Sequence, residues 1–155
     1  FSFILQSTVA YHLKYSVAVA TGSSTIALPF TCTINADAVA AHYADMLTSY
    51  PDGFNINNAG TTANWALCSG DGVVSFDAGE GCQGQMELGS ITSSSSTLLM
   101  DGSTALFITG SQIGSSFNSQ QTAGGYSGAS PWTLKCVPVA GVGWIHEAIL
   151  YIRGK

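Results

Sequence analysis

The first twenty residues constrain the fold more than any other stretch. Their odd positions are Phe1, Phe3, Leu5, Ser7, Val9, Tyr11, Leu13, Tyr15, Val17 and Val19, and all but Ser7 are apolar or aromatic. The even positions, from Ser2 through Gln6, His12 and Lys14 to Ala20, are mostly polar or small. A period of two held this long predicts a β-strand with one buried face. The β-branched and aromatic residues on that face suit a pleated surface. Residues 1–20 in extended form reach roughly 66 Å at ~3.3 Å per residue. A domain of 155 residues is only about 40 Å across. The strand therefore either breaks at the polar patch Gln6-Ser7-Thr8 or carries its first part out of its own domain. A chain end that leaves with an apolar face must bury that face in a neighbour.

Composition narrows the partners. Charged residues make up 8% of the chain, against about 25% in typical soluble domains. The net charge is −5, with only 4 Lys and Arg residues. No nucleic-acid partner is expected, because phosphate binding needs clustered cations. The same shortage of cations argues against an anionic membrane surface. No apolar run reaches the ~18 residues of a membrane span. With so little charge, such a chain is poorly protected against self-association. The chain starts without Met, as a processed chain does.

Four cysteines are present, Cys32, Cys68, Cys82 and Cys136. None has zinc-ligand spacing, so two disulfides and an oxidising compartment are expected. The pairings favoured are Cys68–Cys82, across a Gly-rich loop, and Cys32–Cys136, between two predicted strands.

Residues 21–155 read as one β-rich domain. Ile26, Leu28, Phe30, Cys32 and Ile34 alternate as a second strand, with Pro29 pointing to an edge. Asn35 is a good helix N-cap, and Val39, Tyr43, Met46, Leu47 and Tyr50 recur at helical spacing. One α-helix is therefore expected over 36–50. Ser69-Gly70-Asp71-Gly72 and Asp101-Gly102 read as hairpin turns, the second between Leu98-Leu99-Met100 and Ala105-Leu106-Phe107-Ile108. Residues 110–130 read as a long Gly/Ser/Gln loop. Trp132, Leu134 and Cys136 alternate again. The run 144–152 is nearly all apolar, which predicts a strand buried on both faces. The fold class expected is mainly β, a β-sandwich or barrel-like domain with one packed α-helix and an extended N-terminal strand.

Signals for chemistry are weak. Gly125-Tyr126-Ser127-Gly128 resembles the Gly-x-Ser-Gly turn of chymotrypsin-like proteases, and Ala40-Ala41-His42 resembles that family's Ala-Ala-His. The resemblance implies a hydrolase using His42, Asp77 or Asp101, and Ser127. The helix expected over 36–50 speaks against it, and no catalytic residue is assigned. His12, His42 and His146 are not spaced as metal ligands, and no cofactor motif is present. Trp65, Trp132 and Trp144 are candidates for a sugar-stacking platform, with loops 55–64 and 110–130 as the site of a secreted carbohydrate-binding module.

The layout of an alternating N-terminal extension, a disulfide near the first domain strand, a β-sandwich and few charges resembles donor-strand-exchanging pilins. That resemblance implies a structural subunit of an extracellular or cell-surface filament, not an enzyme, with identical subunits as partners. Its donor segment would be residues 1–13, inserting Phe1, Phe3, Leu5, Val9, Tyr11 and Leu13 into a neighbour by strand addition. The chain departs from that family in its four cysteines, its expected helix and the position of Tyr151.

Overall fold

The computed structural model describes residues 1–21, 23–24, 30–50, 55–57, 63–68, 76–90, 96–110, 114–138 and 143–153. The alternating N-terminal stretch does not stay in one sheet. It forms β1 (Ser2–Leu5) and β2 (Ala10–Thr21). Between them the chain turns at the polar patch, where Val9 N–H donates to the Gln6 carbonyl at 3.2 Å. Gln6 N–H donates to the Tyr11 hydroxyl at 2.9 Å, and Ser7 N–H to the Ser130 hydroxyl at 3.1 Å. The parity survives the turn, so Leu5 before it and Tyr11, Leu13, Tyr15, Val17 and Val19 after it are all buried.

Two antiparallel sheets result. The smaller joins β1, β12 (Trp132–Pro138), β4 (Phe30–Ile34) and β7 (Trp65–Cys68), in that order. The larger runs β13 (Gly143–Arg153), β2, β9 (Gly81–Ser90), β10 (Thr97–Gly110), β11 (Gly114–Ser127), β5 (Tyr43–Tyr50) and β6 (Asn55–Asn57). A short ladder pairs β3 (Ser23–Ser24) with β8 (Phe76–Asp77). Leu5, Ile34, Trp65, Trp132 and Leu134 from the small sheet form one core with Leu13, Val17, Met86, Leu88, Leu98 and Tyr126 from the large one. The fold is thus mainly β, two sheets face to face, and neither closes into a barrel among the described residues.

The expected helix over 36–50 is not there. Among the described residues the only helical element is a 3-10 turn, Ala40–His42. Asn35 and Ala36 have φ of 54° and 52°, and Asp37 N–H donates to the Ile34 carbonyl at 2.9 Å. Two positive φ values inside a four-residue turn match type I′. Asn serves both as an N-cap and in the left-handed region, and here the second use wins. β5 follows and pairs along β11 from Tyr43↔Tyr126 to Tyr50↔Ser119.

Two further turn readings are corrected. Asp101-Gly102 is not a hairpin turn, since β10 passes straight through it. A Cβ on Gly102 would come 2.5 Å from the Gln85 carbonyl oxygen and 2.8 Å from the Met86 Cβ. The glycine is there for close strand packing. Most of residues 110–130 are not a loop but β11, paired with β10 on one side and β5 on the other. The strand start and hairpin turn expected at 25–29 and 69–75 lie outside the described residues.

Cys32 and Cys136 sit opposite each other on β4 and β12 and form a disulfide. The Cys68–Cys82 bridge does not form. Cys82 is a free buried thiol on β9 of the large sheet, whereas Cys68 ends β7 in the small one.

Gly102→Ala is expected to destabilise the fold by about 1–3 kcal/mol through overpacking. Ala36→Gly is expected to stabilise it by about 1 kcal/mol, because glycine adopts positive φ without penalty. Urea unfolding of the two variants beside the parent measures both.

Candidate functional site

The large sheet stops at β13. This strand pairs with β2 from Trp144↔Val19 to Arg153↔Ala10, and no described strand lies on its other side. The run 144–152 is therefore not buried on both faces. Ile145 is 66% exposed, Ile149 46% and Tyr151 45%. These three share the outer face, opposite Ala18, Lys14 and His12 of β2. On the inner face Ala148 and Leu150 pack against the core, but Ile152 is 73% exposed and His146 is also exposed. At ~4.8 Å per strand step, seven strands span about 29 Å and four only about 14 Å. At the rim His146 and Ile152 are left uncovered. A continuous apolar run fits burial between layers, but it equally fits burial against another molecule.

Edge strands in soluble proteins are blunted by Lys, Pro, bulges or short length. β13 is 11 residues long and contains neither Lys nor Pro. Its register irregularity lies at one end, between Gly143 and Trp144. A polar band fastens its outer face to the sheet. Arg153 Nη1 donates to Glu87 Oε1 at 2.8 Å, and His12 Nδ1 lies 2.7 Å from the same oxygen. Burial pushes the Glu87 carboxyl up, but the bonds from Arg153 and His12 outweigh it and hold the group below the ordinary range. Lys14 Nζ sits 5.8 Å from the centre of the Tyr151 ring, within cation–π reach.

The six residues expected in the donor segment all lie on this chain's own core. Leu5, Tyr11 and Leu13 are buried, and Phe1, Phe3 and Val9 are partly buried against the same cluster. β1 pairs with β12 from Ser2↔Lys135 to Leu5↔Trp132. The terminal ammonium donates to the Cys136 carbonyl at 3.0 Å, and Cys136 N–H donates back to the Phe1 carbonyl at 2.9 Å. The Phe1 ring lies 5.7 Å from that of Phe3 and 6.4 Å from that of Tyr15.

Among the described side chains, the hydrolase candidates His42, Asp101 and Ser127 are not joined to one another. His42 Nδ1 lies 2.6 Å from Asp37 Oδ2, not near Asp101, which is exposed on β10. Ser127 is exposed at the end of β11, on the opposite face from buried Tyr126. No hydrogen bond joins Ser127 to His42 among the described residues. Trp65 and Trp132 are fully buried, and their ring N–H groups donate to the Gly125 and Gly128 carbonyls at 3.1 and 2.7 Å. They are core residues, not a sugar platform. No cluster of metal-ligating side chains occurs among the described residues. No described helix is long and apolar enough to cross a membrane.

The sequence reading missed a polar knot at the turn after β4. Asp37 accepts from Val39 N–H at 2.8 Å and from the Tyr126 hydroxyl at 2.8 Å, and its carbonyl lies 3.1 Å from the Tyr43 hydroxyl. The Tyr43 hydroxyl also bridges the Ile34 N–H and carbonyl. His42, Val39 N–H and Tyr126, in that order, hold the Asp37 carboxyl at about 2. Burial, then the hydrogen bond to Asp37 and its charge, push Tyr126 up to about 12. Asp37 and Tyr126 stand 89 residues apart, so no local pattern joins them. Neither protein-family models, curated proteins nor solved structures match this chain.

Asp37 is ionised more easily in the folded chain than in the unfolded one. Its contribution to stability is full above its unfolded value near 3.8 and is lost as pH falls through about 2. Asp37→Asn is thus expected to lower stability at neutral pH, with the gap to the parent closing as pH drops across that window. Urea melts at stepped pH test this, and a gap independent of pH contradicts it.

Proposed function

We propose that the chain is a structural subunit of an extracellular filament or surface assembly whose copies join by β-strand addition. The observation that carries this reading is the open edge of β13, which exposes Ile145, Ile149, Tyr151 and Ile152 and contains neither Lys nor Pro. A long, flat, apolar edge is a template for another strand. The low charge supports association. The Cys32–Cys136 disulfide is in keeping with an oxidising, extracellular setting.

The N-terminal donor segment takes a definite form on this fold. β1 is a 4-residue edge strand tethered through the turn at residues 6–9. If it left its own β12 and paired with β12 of a neighbour in the same register, its contacts would be kept. The copies would then be linked head to tail, in a chain that stays open unless the rotation closes it. Short hinge loops favour such exchange. Straightening the hinge would also give the unbroken one-faced strand that the alternation over residues 1–20 describes.

Negative-stain microscopy and sedimentation of the full chain test the reading, with concentration-dependent assemblies expected. Ile4 and Thr133 stand opposite each other across β1 and β12. A disulfide in the Ile4→Cys, Thr133→Cys variant would lock β1 at home. Long assemblies are expected to vanish in the locked form and return on mild reduction. Filaments that persist when locked would rule out strand exchange, and a parent chain that stays monomeric throughout would rule out the assembly itself.

A further inference from the structure

We propose that two copies of the chain pair antiparallel along β13, about a two-fold axis passing at Leu150, so that their large sheets continue as one. This rests on the assembly reading above and narrows it to a partner and a register.

The first ground is the edge itself. In an antiparallel strand, alternate residues turn their N–H and C=O groups toward one neighbour and the rest toward the other. On β13 the outward set meets no described strand. Another extended strand is what satisfies such a row. The exposed side chains on both faces, Ile145, Ile149 and Tyr151 on one and Ile152 on the other, then gain cross-strand partners as well.

The second ground is charge complementarity within β13. An antiparallel pair of identical strands is defined by the residue on the axis. With Leu150 there, Glu147 stands opposite Arg153 of the other copy, and the symmetry makes this pair twice. Ile149 stands opposite Tyr151, also twice, and Ala148 opposite Ile152. Glu147, Ile149, Tyr151 and Arg153 lie on the outer face in both copies, so the sheets join without flipping. Moving the axis to Ile149 sets Glu147 against Tyr151 and Arg153 against Ile145, each charge facing an uncharged side chain. An axis at Glu147 or at Arg153 opposes like charges. Within β13, Leu150 is the one axis that pairs both charges with their opposites.

Both charged groups are exposed on the strand at the edge. Glu147 is exposed and has no ion-pair partner among the described residues. Arg153 is 61% exposed, and its described bond runs inward over β2 to Glu87 on β9, so meeting Glu147 of the other copy means swinging the guanidinium from one carboxylate to the other. The paired half of β13 lies away from the irregularity at Gly143/Trp144. A two-fold contact of this kind is closed. It would therefore make dimers, or cross-link head-to-tail chains in pairs.

Sedimentation equilibrium of the full chain tests the register, with Ile4→Cys, Thr133→Cys locking β1 so that only the β13 contact is read. Glu147→Arg is the clean probe, because Glu147 has no described partner of its own. It is expected to raise the dimer dissociation constant about tenfold, since two attractive pairs become repulsive. Adding Arg153→Glu in a Glu87→Gln background, so that no carboxylate faces Glu87, is expected to restore the dimer. Ile149→Lys is expected to abolish it, with circular dichroism unchanged. A dimer indifferent to Glu147→Arg but broken by Ile149→Lys overturns the register and leaves edge pairing standing. A dimer indifferent to both overturns the β13 contact while the assembly reading survives. A locked chain that stays monomeric at millimolar concentration overturns this proposal; if the unlocked chain is monomeric too, the assembly reading falls with it.

Discussion

Among the described residues seven strands face four, and that mismatch shapes the architecture. A sheet with one apolar face needs a cover of equal width. Here the described cover is β1, β12, β4 and β7, four strands against seven. The chain recruits its own first residues to widen it. Phe1 and Phe3 lie against the core at the margin, with the Phe1 ring close to that of Tyr15. On β13, Ala148 and Leu150 are half-sheltered and Ile152 is in the open. The exposed edge follows from how the strands are divided between the layers.

The turn after residue 5 makes this division possible. It moves the chain from one sheet to the other while keeping odd-numbered side chains inward on both sides of the break. A shift of one residue would have turned Tyr11, Leu13, Tyr15, Val17 and Val19 toward solvent. The turn thus settles which face of the large sheet becomes core, and β9, β10 and β11 extend that choice across the rest. The Asp37 knot does similar work at the other margin, tying the turn after β4 to Tyr43 and Tyr126 of the large sheet.

Period-two alternation was the part of the fold that the sequence displayed plainly, in residues 1–20 and again at Trp132, Leu134 and Cys136. Elsewhere, local pattern misled for identifiable reasons. Residues 36–50 carry apolar groups at helical spacing, yet Val39 is 49% exposed. A left-handed Asn35-Ala36 turn and a waiting partner in β11 decide for strand, and β-structure of that kind depends on non-local pairing. β11 itself is rich in Gly, Ser and Gln and reads as loop, but two neighbours satisfy its backbone and hold it extended. Asp101-Gly102 has hairpin chemistry and is used for clearance instead. The run 144–152 showed that its residues want burial without showing against what. The site was legible as a composition and not as a location.

The disulfide has a mechanical corollary. Cys32 and Cys136 are 104 residues apart in sequence and adjacent in space. Tension applied between the two ends of the chain travels along the first 32 residues, crosses the sulfur bridge, and leaves through the stretch after residue 136. Everything inside the covalent loop is bypassed. Under pull, β1, β2 and β13 yield while β9, β10 and β11 stay slack, so the centre of the large sheet would survive loads that strip its rim.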